Sequence, residues 1–100
     1  MKIISEANQY VVTEYGAYRL SYELQEFRAD EEEGFKFYYG IRICQVDSRD
    51  ESVFDLCQVR GVTDREQTAR ALFAMLVEGL VMPVSLPELI DDWQASVQMV

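Results

Sequence analysis

A chain of 100 residues is the length of one ordinary domain, and with 49% hydrophobic residues it can bury a core without disulfides or metal. Eighteen acids against nine Lys and Arg leave a net charge of −9, a surface that repels phosphate backbones and anionic lipid. Composition therefore argues against disorder, direct nucleic-acid binding and membrane attachment. Beyond Arg70 there is no cation at all, while Glu78, Glu88, Asp91 and Asp92 remain.

The opening residues 1–8 hold one Lys and two Ile before turning polar, too short an apolar run for a secretory signal. The stretch Ala71 to Val77 is the longest uncharged apolar run and cannot span a bilayer. With Cys44 and Cys57 as the only cysteines, the expectation is a cytoplasmic protein with reduced thiols.

In chain order, Gln9 to Thr13 is rich in β-branched and aromatic residues and reads as a strand. Tyr15-Gly16 then turns the chain, because Gly takes positive φ without steric cost. Tyr18, Leu20, Tyr22 and Leu24 alternate with Arg19, Ser21 and Glu23, the pattern of a half-buried strand. Ala29 to Gly34, carrying Asp30 and three consecutive glutamates, is expected as a loop, because clustered like charges resist burial. Phe35, Phe37, Tyr39, Ile41 and Ile43 then alternate with Lys36, Tyr38, Gly40, Arg42 and Cys44, which places the first set on the core face. Asp47 to Glu51 is the next loop. Ser52 to Val59 is a fourth strand, with Phe54 and Leu56 competing against Val53, Cys57 and Val59 for the inner face.

At Thr63 the period changes. Thr63 and Glu66 stand at capping-box spacing, and Ala69, Leu72, Phe73, Leu76 and Leu80 follow at helical spacing. Gly79 and Pro83 end this helix. Ser85 and Glu88 form a second capping box with Pro87 in the first turn, and Leu86, Leu89, Ile90, Trp93 and Val97 make an apolar stripe. The order ββββαα predicts a single α+β domain over residues 1–100. It is a four-stranded antiparallel meander with both helices packed on one face. The expected contacts set Leu20, Tyr22, Phe37, Tyr39 and Ile41 against Leu72, Phe73, Leu76, Leu89, Ile90 and Trp93.

Chemistry is sparse. There is no His, which removes the commonest general base and metal ligand together. Cys44 and Cys57 lack zinc spacing, and no Gly-rich loop precedes a helix. Glu31, Glu32 and Glu33 do not fit a calcium loop, and Asp91 and Asp92 diverge on a helix. The expectation is no catalytic residue, no cofactor and no metal. The two cysteines are expected on adjacent strands of one hairpin, close enough for a redox switch to be tested.

Two helices cover only one face of such a sheet. The opposite face carries Tyr10, Val12, Tyr38, Cys44 and Val46, which make it a candidate interaction surface. The leading reading is a non-enzymatic protein-interaction or regulatory module whose partner is another protein or a second copy of the chain. Two alternatives stand beside it. One is a small-molecule binder or enzyme using carboxylates and tyrosines beside the helices. The other is an acidic mimic of nucleic acid.

Residues 1–5, 18–24, 38–43, 63–67 and 83–93 together resemble a family of short uncharacterised bacterial proteins found mostly in clostridia-like Gram-positive bacteria. That resemblance implies a domain of unknown function with a cytoplasmic location and this architecture. It supplies no catalytic residues.

Overall fold

The computed structural model describes the backbone of residues 1–98 and the side chains through residue 96. Strands β1 (Lys2–Thr13), β2 (Gly16–Glu31), β3 (Gly34–Asp47) and β4 (Val53–Thr63) form one antiparallel sheet in the order β1-β2-β3-β4. Helix α1 (Glu66–Glu78), a 3-10 turn (Pro83–Ser85) and helix α2 (Leu86–Gln98) follow. This is the predicted α+β meander.

The alternating residues of β2 and β3 set the register. Leu20 lies opposite Gln45, Tyr22 opposite Ile43 and Leu24 opposite Ile41. Leu20, Tyr22, Leu24, Ile41 and Ile43 are completely buried, and they cluster with Ala69, Leu72, Phe73 and Leu76 of α1 and Leu86 and Ile90 of α2. On β4 the inner face carries Cys57 and Val59, which pack against this core, while Leu56 is half exposed on the other side. Cys57 and Val59 thus take the inner face, but the register shift beside Gln45 and Val46 reverses the order at the strand's start. There Val53 pairs with Val46 on the outer face, and Phe54 turns to Tyr18 on the helix side.

The strands outrun the helices. A 16-residue strand extends about 50 Å at roughly 3.3 Å per residue, whereas a 13-residue helix covers only about 20 Å. The molecule is accordingly elongated, 53 × 29 × 18 Å. Phe35 and Phe37, expected in the core, are 52% and 39% exposed, because the β2–β3 hairpin carries them past the last helical contact. The acidic stretch expected as a loop from Ala29 is strand as far as Glu31, and only Glu32 and Glu33 turn the hairpin. Alternation sends neighbouring carboxylates to opposite faces in solvent, which relieves the repulsion that argued for a loop.

Both expected capping boxes are absent. Thr63 remains in the sheet opposite Tyr39, and its Oγ accepts from the Arg65 N–H at 3.3 Å. Arg65 is the N-cap of α1 and makes no side-chain cap bond, and Glu66 instead accepts from Arg70 one turn on. Ser85 already belongs to the 3-10 turn that runs straight into α2. Leu80 falls outside α1. It takes a left-handed φ of 52° while the Leu80 and Val81 N–H groups return to the Val77 and Leu76 carbonyls, closing a Schellman-type end. In α2, Leu89 is 39% exposed and Trp93 is only partly buried at the core margin. Leu86 takes the central place instead. The Val97 side chain, expected to end that stripe, lies outside the described residues.

One irregularity shapes the β3–β4 edge. Val59 and Thr63 pair with Ile41 and Tyr39, so Arg60, Gly61 and Val62 bulge opposite Gly40. Gly61 has φ +69°, and Val62 swings into the core. A Cβ on Gly40 would stand 2.8 Å from the Val59 carbonyl oxygen and 3.1 Å from the Phe27 ring. Glycine is therefore needed there for close approach.

Candidate interaction surfaces and an end cleft

Register defines the uncovered face row by row. Tyr10 lies opposite Arg19, which lies opposite Val46, and Asn8, Ser21, Cys44 and Leu56 form the next row. Arg19 donates to Asn8 Oδ1 at 2.9 Å and to Glu51 Oε2 at 2.8 Å. Farther along, Arg42 faces Glu23 at 3.6 Å, and Gln58 donates to Gln25 Oε1 at 2.6 Å, while Gln25 itself donates to Glu23. The middle of this face is thus a polar network.

The five residues singled out from sequence share this face but not one patch. Tyr10 and Val12 stand well exposed on edge strand β1. Cys44 and Val46 are buried beneath their neighbours and offer nothing to a partner. Tyr38 is half-buried, eight residues along β3 from Val46, about 26 Å at roughly 3.3 Å per residue.

The cysteines occupy adjacent rungs, as expected, but opposite faces. Cys44 lies opposite Leu56, and Cys57 lies opposite Ile43 on the core side. Their Cβ vectors point apart, which precludes a disulfide without backbone movement. Burial pushes both thiols up, with Arg42 pulling Cys44 back and Asp55 raising Cys57 further. Neither has the lowered pKa of a reactive thiol.

The projecting end of the β2–β3 hairpin is the surface that sequence reasoning missed. On one side Phe27 is stacked on Tyr38 at 5.2 Å, and the Arg60 guanidinium lies 4.4 Å from its ring centre. On the other side Phe35 and Phe37 meet edge to face at 5.2 Å, with Arg28 over Phe35 at 4.1 Å. Lys36 is tied to Asp64 at 3.0 Å. The parity of Phe35 and Phe37 reported the correct face of the sheet. Their distance from the helices was the missing information.

At the other end of the sheet, on the helix side, an open cleft of about 330 Å³ lies between the β1–β2 and β3–β4 turns. Tyr18 and Phe54 form aromatic walls, edge to face with centres 6.4 Å apart. The Tyr18 hydroxyl points to Met82 Sδ at 3.7 Å. The Asp47 carboxylate accepts from the Arg49 backbone N–H at 2.8 Å and from its guanidinium at 2.9 and 3.2 Å, and this holds it below the usual carboxylate range. Gln45 lines the same cleft. It is 7% exposed, and among the described residues its carboxamide has no hydrogen-bond partner. A polar residue at the inward parity of Ile41 and Ile43 was the available signal.

Residues 1–96 match the family described as "Family of unknown function (DUF6514)". The chain belongs to this family. The match takes in all four strands, α1 and nearly all of α2, so the sheet ends described above are part of the DUF6514 unit. No curated protein and no solved structure matches the chain. Among the described residues, no helix is long and apolar enough to cross a membrane, and no group of three or more Cys, Asp or Glu converges as a metal site.

Proposed function

We propose that this DUF6514 protein is a small non-enzymatic interaction or regulatory module of the cytoplasm. It works through the parts of its sheet that the helices leave uncovered. The observation that carries this reading is the projecting β2–β3 hairpin, which holds Phe35 and Phe37 more than a third exposed on a hydrogen-bonded two-stranded arm. Exposed aromatic rings on an ordered element are the usual anchors of protein interfaces. Tyr10 and Val12 on edge strand β1 supply a second, smaller apolar surface. The net charge of −9 selects against nucleic acid and favours a partner with a neutral or basic surface.

Two surface variants test this, Phe35→Ser with Phe37→Ser, and Tyr10→Ser with Val12→Thr. Light scattering across a concentration series reads self-association, and quantitative affinity capture from native lysate reads other partners. The reading predicts that one double variant, still folded by circular dichroism, dissociates an oligomer or loses a reproducible partner. A monomeric wild type with the same capture profile as both variants would refute it.

A further inference from the structure

We propose that the end cleft is a binding site for a small, planar, uncharged amide: an aromatic carboxamide or a lactam. The inference goes beyond the interaction module and rests on different residues.

The ligand class follows from the residues present. Gln45 is a 7% exposed residue that lines the cleft, and its carboxamide, unpartnered among the described residues, is not sealed in the interior but meets the cleft's open space. A carboxamide presents an acceptor oxygen and N–H donors in one plane. Its complement is another amide edge, which returns one donor and one acceptor at the same spacing. Flat walls from Tyr18 and Phe54 suit a ring attached to that edge, and Phe54 is 57% exposed and free to receive one. The volume of about 330 Å³ lies at the lower end of small-molecule sites and admits one or two rings.

Charge narrows the class further. Asp47 lines the cleft as a carboxylate that Arg49 holds ionised, and that pairing occupies the Arg49 guanidinium. A carboxylate or phosphate ligand would meet Asp47 with no free cation to offset it, on a molecule already at −9. A neutral amide meets no such repulsion. It also supplies the hydrogen bonds that the Gln45 carboxamide does not find within the described residues.

Benzamide is the minimal probe, with benzoate as its charged isostere. Two-dimensional amide NMR follows the Gln45 side-chain NH₂ and the backbone of the two flanking turns during titration. The expected result is saturable binding in the millimolar range proper to so small a ligand, with shifts confined to the cleft. Benzoate should bind about tenfold more weakly or not at all. Gln45→Met keeps the side-chain length and should weaken benzamide by about five- to tenfold. Phe54→Ala alters an exposed ring, leaves the core intact and should weaken it by a similar factor. Absence of saturable shifts with the wild-type protein would overturn the proposal. So would benzoate binding as tightly as benzamide, or benzamide affinity unchanged in both variants.

Discussion

Tyr22 links the core to alkaline pH. Its side chain is fully buried in the middle of β2, and its hydroxyl donates to the Val81 carbonyl at 3.0 Å, just after α1. Burial, helped by the neighbouring Tyr18 phenol, pushes its pKa up to about 12 from an ordinary 10.0. The folded state therefore holds the proton more tightly than the unfolded chain. The resulting stability is fully present below pH 10 and is lost as pH rises toward 12. Two units correspond to a ceiling of about 2.7 kcal/mol. The hydroxyl meets the margin of the core at the α1–α2 linker, so screening reduces this to roughly 1–2 kcal/mol. Tyr22→Phe removes the titration and the hydrogen bond together. Urea unfolding at about pH 8 should find the variant less stable by about 0.5–1.5 kcal/mol. Above about pH 10 the wild type should lose that advantage and fall level with or below the variant. Tyr39 and Lys36, both with raised pKa, are common to the two proteins and cancel in the difference. A gap that stays constant to about pH 11.5 would refute the account of Tyr22 as a buried, proton-holding phenol.

Three further outcomes are expected. Gly40→Ala should destabilise by about 1–3 kcal/mol, because the added Cβ meets the Val59 carbonyl, which cannot rotate away. A thermal midpoint unchanged from wild type would contradict the bulge geometry. Leu80→Gly should stabilise by about 0.5–1 kcal/mol, the relief of a left-handed leucine less the added entropy of the unfolded chain. Differential scanning calorimetry would show this as a rise of a few degrees, and a fall would place the chain turn elsewhere. Cys44 and Cys57 should form no intramolecular disulfide under mild oxidant and should alkylate much faster once unfolded, as mass spectrometry can follow. A native crosslink would overturn the register of β3 against β4.

What the sequence made legible was periodicity, and what it hid was coverage. Alternation from Tyr18 to Leu24 and from Tyr39 to Ile43 reports a buried face because each side chain repeats every second residue whatever surrounds it. The same alternation assigned Phe35 and Phe37 to that face, and they do lie on it, but nothing local records how far a helix packed there will reach. Capping boxes failed for a related reason. Thr63 carries the local signature of a helix start, yet its backbone is claimed by pairing with Tyr39, and the nonlocal ladder wins. For Cys44 and Cys57 the loop located the rung correctly. Facing, however, depends on a one-residue offset that a loop estimate cannot resolve, and the irregularity beside Gln45 and Val46 adds to it. In the cleft, Gln45 and Asp47 continue the inward parity of Ile41 and Ile43 as polar residues. That mismatch marked a site where the core gives way to solvent.

The same mismatch of strand and helix lengths that exposes the two sheet ends also separates them. Phe37 and Gln45 lie on one strand, eight residues apart, which is about 26 Å at roughly 3.3 Å per residue. Between them stand Tyr39, Ile41 and Ile43, the residues that β3 buries in the core cluster. Sites this far apart without shared partners behave additively. Loss of the aromatic arm should therefore leave benzamide affinity at the cleft unchanged, and Gln45→Met should leave capture through the arm unchanged. Any coupling must pass through the core, where repacking the buried β3 residues is costly. The hairpin tip beyond Phe27 lacks helical cover and should exchange its amides ahead of the central rungs. Partner binding that ordered this tip would protect those amides first and the cleft last, so exchange rates in the bound state can show which end of the sheet is engaged.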